Sequence, residues 1–322
     1  MQIGFNQNKQ HSIGEIISIS GTGLHSGIHA DLILKPARPD FGFRFKRTDL
    51  SGQPVIKADC DLVSDTFRKT TLSDKGTSVS TVEHILSALV GSGIDNCLIE
   101  LNGPEVPIVD GSCEKFVHLI EKSGIEEQTA DKTWYTLDKE ILYHDAEKNI
   151  TMEAIPSNEY TITTWIDFKN ERLKPQQATL KNLRDFKREI APCRTYCLVH
   201  ELEMLLEHNL VKGDIVQNAI LIIDKPVSNE EMNRLKSKFN IQNFTLKNGG
   251  YLNNLELRYE NEIARHKLMD LIGDLALIGF PIRANITGYR LGHTSNIDFA
   301  RKIKKHILKQ IEINAMDLSS RI

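Results

Sequence analysis

Hydrophobic positions in this chain change period several times. Over residues 15–48 they tend to alternate with polar ones, so 15–19, 30–34 and 41–45 are predicted as half-buried strands. The first two flank a glycine-rich turn, Gly21-Thr-Gly-Leu-His-Ser-Gly27. Over 80–90 the spacing becomes helical, with Val82, Ile85, Leu86, Leu89 and Val90 on one face. Ser80 and Glu83 fit a capping box at its start, and Gly91 and Gly93 stop it. A short strand at 97–101, a turn at 104–111 and a helix at 112–122 follow. The polar run 123–132 then marks a domain boundary, dividing the chain into 1–127 and 128–322.

The second half predicts strands at 134–142, 150–155 and 160–167, a helix at 182–189, a strand at 195–199 and an amphipathic helix through 208. A short apolar strand at 219–223, a surface helix at 229–238 and an irregular insertion over 239–254 come next. A helix at 262–278, a strand at 282–289 and a final helix at 295–312 complete the series. Strands and helices intermix without regular βαβ alternation. That points to an α+β fold of two sandwiches rather than a doubly wound parallel sheet.

Composition narrows the function classes. A chain of 322 residues, 40% hydrophobic and 26% charged, is globular in character and long enough for two domains. A net charge of −3 offers no basic field to nucleic acid. No apolar run is long enough to span a bilayer, and the N-terminus lacks the pattern of a signal peptide, so a cytoplasmic location is expected. Cys60, Cys97, Cys113, Cys193 and Cys197 form no CxxC pair and read as small buried thiols.

The helix at 262–278 is where chemistry first shows. It puts His266, Asp270 and Asp274 on one stripe, each one turn from the next, with Leu268, Leu271, Ile272 and Leu275 opposite. One imidazole and two carboxylates suit Zn²⁺; the plainer reading is a solvated pair or a cap. A catalytic zinc takes three protein ligands and keeps a position for water. His266 and Asp270 offer two. His84 is the best third, because it points nearly opposite the apolar face of its own helix, towards the other half of the chain. Glu83 beside it is the capping-box residue, the base that takes a proton from water, or both. Asp274 is an exposed carboxylate or the group that orients a nearby histidine, and Lys267 a surface charge or an anion clamp. His293, in Gly292-His293-Thr-Ser-Asn296, is placed in a loop before a helix. A charged histidine there could stabilise a tetrahedral oxyanion and protonate a leaving amine. Thr195 could donate to the same oxygen or be an ordinary strand residue. The 21–27 turn fits no phosphate loop and reads as a hairpin, leaving His25 at its tip unassigned.

Several motifs occur together: Gly23-Leu-His-Ser-Gly27, Ser80-Thr-Val-Glu-His84, Gly93-Ile-Asp-Asn96 and Gly103-Pro-Glu-Val-Pro-Ile-Val-Asp-Gly-Ser112, then Arg194-Thr195, His266-Lys-Leu-Met-Asp-Leu-Ile-Gly-Asp274 and Gly292-His293. In this order and spacing the chain resembles the UDP-3-O-acyl-N-acetylglucosamine deacetylases, zinc amidases of lipid A biosynthesis, from about residue 15 to 305. The resemblance implies that His84, His266 and Asp270 hold Zn²⁺, with Fe²⁺ also suited to such ligands. It implies Glu83 as general base, His293 as the cationic acid held by Asp274, and Thr195 at the oxyanion. Lys267 would meet the anionic part of the UDP-linked acylated glucosamine.

The same resemblance implies two two-layer sandwich domains of similar topology with the active site between them. A small β-α-β insertion in the second domain, matched by 195–223, would line an apolar passage for the 3-O-acyl chain with Leu198, Leu202 and Leu205. Tyr196 stands where the family usually has phenylalanine, so the passage is expected to differ there. Residues 229–256 are longer than in the simplest members. Some members with such a segment are fused to a hydroxyacyl carrier-protein dehydratase, which would lie outside this chain. The expected activity is release of acetate by a monomer. Two other readings are weighed against it: a zinc amidase acting on another acylated amine, and a structural zinc clamp joining two domains. The clamp would close its fourth position, usually with cysteine, and none lies near His84 or His266 in sequence.

Overall fold

Alternation in the first half does build a sheet. In His29–Pro36 the residues Ala30, Leu32 and Leu34 are buried between outward-facing neighbours, and Phe43–Arg47 buries Phe43, Phe45 and Arg47 in the same way. A computed structural model describes residues 8–169, 173–202, 215–238, 245–247, 250–252 and 254–319. In it these strands form a five-stranded sheet in the order Ile17–Thr22, His29–Pro36, Cys97–Leu101, Phe43–Arg47, Val55–Lys57. Cys97–Leu101 and Phe43–Arg47 run parallel; the other neighbours are antiparallel.

The second half repeats the plan. Its sheet runs Ile141–Asp145, Ile150–Pro156, Ile282–Tyr289, Tyr160–Ile166, Gln176–Leu180, with Tyr135–Thr136 also pairing with Ile282–Tyr289. Numbered along the chain, the five main strands of each sheet lie first, second, fifth, third, fourth. In the second sheet, too, the fifth and third are parallel and the other neighbours on this path antiparallel. In each half a helix precedes the fifth strand: Glu83–Gly91 in the first and Glu262–Ala276 in the second. Each half also carries an insertion between its fourth strand and that helix. The first insertion is a sheet of Val63–Asp65, Thr71–Asp74 and Thr77–Ser80. The second holds a parallel pair, Tyr196–Leu198 with Ile220–Ile222.

The two helices pack against each other and are buried on nearly every face. Ile85, Leu86 and Leu89 from one, and Leu268, Leu271, Ile272 and Leu275 from the other, belong to one apolar core continuous across both halves. Glycine permits the contact: a Cβ at Gly273 would lie 2.0 Å from the Glu83 carbonyl oxygen. The Thr164 hydroxyl donates to the Ala264 carbonyl at 2.9 Å, seating the second helix on its own sheet.

Some expectations change. The run 123–132 is not an irregular linker, because Ile125–Asp131 pairs antiparallel with Lys9–Ile13. Its polar residues lie on a mostly exposed ribbon that buries little, so it reads like a loop. No capping box forms. Ser80 ends a strand, Val82 is the N-cap without a side-chain bond, and the Glu83 carboxylate is engaged elsewhere. The 134–142 strand is two, Tyr135–Thr136 and Ile141–Asp145. The 182–189 helix is a 3-10 turn, Leu183–Asp185, running into Phe186–Glu189. The final helix, His293–Ser319, starts at His293 itself, so His293 is not in a loop. A helix opens at 199 as expected, but 203–208 lies outside the described residues, as does most of 239–254. All five cysteines are buried and free. No helix among the described residues is long and apolar enough to cross a membrane.

Charge ties the final helix to the first half. Lys304 Nζ donates to Asp59 and, at 2.7 Å, to Asp61. Burial works against the charge on Asp59, but Lys304, the Asp61 N–H and Lys57 hold its carboxyl below the usual range. The folded pKa is depressed, so this stabilisation is present above the unfolded carboxylate value of about 4 and is lost as pH falls through the folded value. Asp59→Asn is therefore expected to lower the Tm at pH 7 and to converge on the native chain as the pH falls through the depressed folded value. Melts followed by circular dichroism across pH check this; a Tm gap that stays constant with pH would count against it. Gly273→Ala should lower the denaturant midpoint, with a loss of about 1–3 kcal/mol from overpacking. An unchanged midpoint would mean that the helices can part without cost.

Candidate metal centre and catalytic cavity

His84, His266 and Asp270 converge where the two helices meet. Their donor atoms lie within 4.8 Å of one another, and all three residues are buried. His266 Nε2 is 3.4 Å from Asp270 Oδ1, and His84 Nε2 is 3.8 Å from the same oxygen. His266 Nδ1 is 3.2 Å from the Cys193 carbonyl. That contact assigns the proton to Nδ1 and leaves the Nε2 lone pair facing Asp270. Asp270 Oδ1 is buried and has no hydrogen-bond partner, while Lys267 Nζ donates to Oδ2 at 2.8 Å. An orphaned carboxylate oxygen aimed at two imidazole nitrogens is a costly arrangement for protein atoms alone. It is a fitting one for a divalent cation with nitrogen and oxygen ligands.

The protonation states agree with this. Burial, with His266 nearby, pushes His84 down to about 3, and burial also lowers His266. Burial opposes the charge on Asp270, yet His266, Lys267 and His293 hold its carboxyl well below the usual range. Two neutral imidazoles and an ionised carboxylate are the forms that coordinate a metal.

A second set of side chains borders the first. Glu83 is 3% exposed and its Oε2 accepts the Thr70 N–H at 3.0 Å. Burial pushes the Glu83 carboxyl up to about 8; His293 pulls against this, and Asp274 and Asp270 reinforce it. Asp274 Oδ2 accepts from His293 Nδ1 at 2.9 Å and from Asn296 Nδ2 at 2.8 Å, and Oδ1 accepts from the Thr70 hydroxyl at 2.6 Å. Burial works against a charged His293, but Asp274 prevails and raises it to about 9. Its Nε2 lies 3.9 Å from Asp270 Oδ2, so the ring bridges the two carboxylates.

These groups line a cavity of about 310 Å³. Thr195, Tyr196, Leu198 and Lys267 line it too, so the structure brings together nearly all the residues singled out from sequence. Asp274 stands behind His293, out of the cavity lining. The Thr195 backbone is fixed on both sides, its N–H donating to Gly111 and its carbonyl accepting from Ile220. Tyr196 is T-shaped against Phe168 at 5.7 Å and carries Lys267 Nζ 5.4 Å from its ring centre. Leu202 is a correction. It is 1% exposed within the apolar cluster beneath the strand pair and does not line the cavity, although Leu24 and Ile108 of that cluster do. Leu205 lies outside the described residues.

Sequence reading missed Thr70, Asn296, Arg68 and Phe168. Thr70 sits in an irregular connection with no periodicity to mark it. Asn296 had a signal, since it lies one helical turn after His293. Arg68 and Glu201 form an ion pair between the two insertions, and both line the cavity. His25, unassigned from sequence, lines the cavity as well.

Comparison with known proteins gives the family. The sequence model of the LpxC family, UDP-3-O-acyl N-acetylglycosamine deacetylase, matches residues 10–242 and 240–305. The chain is 41% identical over 300 residues to a bifunctional enzyme LpxC/FabZ of Chlorobaculum tepidum, covering 92% of this chain and 64% of that protein. It is also 41% identical over 310 residues to a protein of the same description from Bacteroides thetaiotaomicron, covering 96% and 67%. The chain thus spans about two thirds of the length of these bifunctional relatives. With the UDP-3-O-acyl-N-acetylglucosamine deacetylase of Myxococcus xanthus the identity is 36% over 295 residues, covering 91% of this chain and 86% of that one. From the family match along most of its length, and from relatives aligned over more than nine tenths of it, the chain belongs to the UDP-3-O-acyl-N-acetylglucosamine deacetylases, the zinc-dependent amidases of lipid A biosynthesis.

Proposed function

We propose that this chain hydrolyses the N-acetyl group of UDP-3-O-acyl-N-acetylglucosamine, giving acetate and UDP-3-O-acyl-glucosamine, at a site between two two-layer α/β sandwiches. The observation that carries the reading is the buried, unpartnered Asp270 Oδ1 between two imidazoles, with Glu83 and His293 beside it. His84, His266 and Asp270 would hold Zn²⁺, or Fe²⁺, which suits the same donors. When bound, the metal polarises the amide carbonyl and makes water more acidic.

The chain's own groups divide the remaining work. Glu83 takes the proton from the attacking water as its oxygen adds to the carbonyl carbon. His293, kept cationic by Asp274, donates from Nε2 towards the oxyanion and then gives its proton to the nitrogen as the C–N bond breaks. The Thr195 hydroxyl donates to the same oxygen. Lys267 meets the diphosphate, and Leu198 and Tyr196 line the passage for the acyl chain. The proposal sets the reaction in the cytoplasm. A hydroxyacyl carrier-protein dehydratase is its companion activity, by analogy with the bifunctional relatives.

Glu83→Gln is expected to lower kcat by roughly 10²–10⁴ with metal content unchanged, measured as acetate release beside metal analysis. Undiminished turnover would remove Glu83 as the base. Stripping the metal with a chelator should abolish acetate release while the circular dichroism spectrum persists, and added Zn²⁺ should restore turnover. If the chain unfolds before activity falls, a structural clamp is the better reading.

A further inference from the structure

Glu105 is a buried carboxylate that the chemistry above does not use. It is 2% exposed, in the 104–111 turn. Its Oε1 accepts the His25 N–H at 3.0 Å and the Thr81 hydroxyl at 2.9 Å, and its Oε2 accepts the Ser26 N–H at 2.6 Å. Among the described residues no lysine or arginine forms an ion pair with it. Its oxygens are held by two backbone N–H groups and one hydroxyl. A Cβ at Gly23 would lie 2.4 Å from Glu105 Oε2, so glycine is what lets the 23–27 loop close over the carboxylate.

What that loop carries explains the arrangement. Leu24, 7% exposed, leaves the first half and joins the apolar cluster beneath the parallel strand pair, with Cys197, Val199, Leu202 and Leu221, and it also borders the cavity. Ile108, from the same turn as Glu105, joins it. Further along that turn, the Gly111 carbonyl accepts the Thr195 N–H at 2.8 Å, and a Cβ at Gly111 would lie 1.8 Å from the Asn218 carbonyl oxygen. The strand pair of the second half is thus seated on two loops of the first, and Glu105 ties those loops together. Through Thr81, two residues before Glu83, the same carboxylate reaches the start of the helix that carries His84.

We propose that Glu105 is a positioning residue for acyl-chain recognition: it pins Leu24 under the strand pair and thereby fixes the cavity wall bearing Tyr196 and Leu198. The proposal rests on the deacetylase reading. Without the carboxylate, two backbone N–H groups and a hydroxyl lose their acceptor, the loop lifts, and Leu24 withdraws from the cluster. Glu83 and the three candidate ligands stand on helices packed together at Gly273 and lose at most the Thr81 tether, so the change falls on KM before kcat.

The test uses the metal-loaded full chain with Glu105→Ala, Glu105→Gln and Leu24→Ala. Substrates are UDP-N-acetylglucosamine carrying a long 3-O-acyl chain and an analogue with a shortened chain. For the long-chain substrate, Glu105→Ala should raise KM roughly tenfold with kcat little changed. Glu105→Gln, which keeps an acceptor oxygen, should fall between it and the native chain. The short-chain analogue should be turned over as by the native chain. Leu24→Ala leaves the carboxylate intact and, since Leu24 also borders the cavity, is read by hydrogen exchange in the strand pair, which should quicken as with Glu105→Ala; this keeps the test open if Glu105→Ala does not fold. Amide hydrogen exchange should quicken in Tyr196–Leu198 and Ile220–Ile222 but not in Cys97–Leu101. Unchanged KM and exchange, equal losses on both substrates, or a rise in exchange throughout the chain would each overturn the proposal. Should the native chain release acetate from neither substrate, the deacetylase reading fails, and the exchange pattern still decides whether Glu105 holds the seat.

Discussion

Gly273 lies so close to the carbonyl of Glu83 that no side chain fits between the two central helices, and the geometry of the site follows from that contact. Gly273 falls between Asp270 and Asp274, and Glu83 is followed directly by His84. One turn of each helix therefore brings backbone against backbone and sets imidazoles opposite carboxylates. Any Cβ would push the helices apart by roughly an ångström. Metal–ligand distances tolerate about ±0.2 Å, so the same displacement would disperse a ligand set drawn from both helices. The large apolar core around the helices keeps them together, but the glycine sets how near they come.

Burial acts on every ionisable group in this cavity, yet it does not move them all in one direction. His84 and His266 face each other and share a single carboxylate, so desolvation prevails and both stay neutral. His293 has Asp274 to itself, and that carboxylate is further fixed by Thr70 and Asn296, so the ring gains a proton despite burial. Glu83 is buried and sits near two carboxylates, so its proton affinity rises although its Oε2 accepts the Thr70 N–H. One site thus holds neutral imidazoles, a cationic one and a carboxyl of raised proton affinity, distinguished by the partners each group has rather than by how deeply it lies. Environments that drive neighbouring groups apart in this way are what acid–base chemistry needs.

How much of this was legible depended on whether a rule is local. The stripe of His266, Asp270 and Asp274 follows from helical spacing, and the outward direction of His84 follows from the apolar face of its own helix. Both survive in the structure because the helices are regular. Ser80 and Glu83 satisfied a local capping rule and still formed no capping box, since the Glu83 carboxylate turns to Thr70. Thr70 itself had no periodicity to reveal it. The run 123–132 is polar because its ribbon buries little, a property that a two-stranded edge shares with a linker. Leu202 was expected in the cavity wall from the family resemblance, but the strand pair has a small core of its own that claims it. The matching strand orders of the two halves were invisible for a related reason. Alternation fixes which side chains are buried, whereas strand order is set by packing that leaves no common residues behind.

Each half makes its insertion at the same point, between the fourth strand and the central helix. The ligands stand on rigid, mutually packed helices, where an ångström matters. Phe67 and Arg68 come from one insertion and Tyr196 and Leu198 from the other, and these line the cavity beside the helices. The walls also touch the helices directly: Thr70 donates to Glu83 and Asp274, and the Cys193 carbonyl faces His266. The Tyr196 ring contacts Phe168, His266 and Lys267 from the insertion side. The second insertion is in turn seated on the first half. That seat is made of a leucine, an isoleucine and a glycine, drawn together by a buried carboxylate that accepts from backbone N–H groups and a hydroxyl.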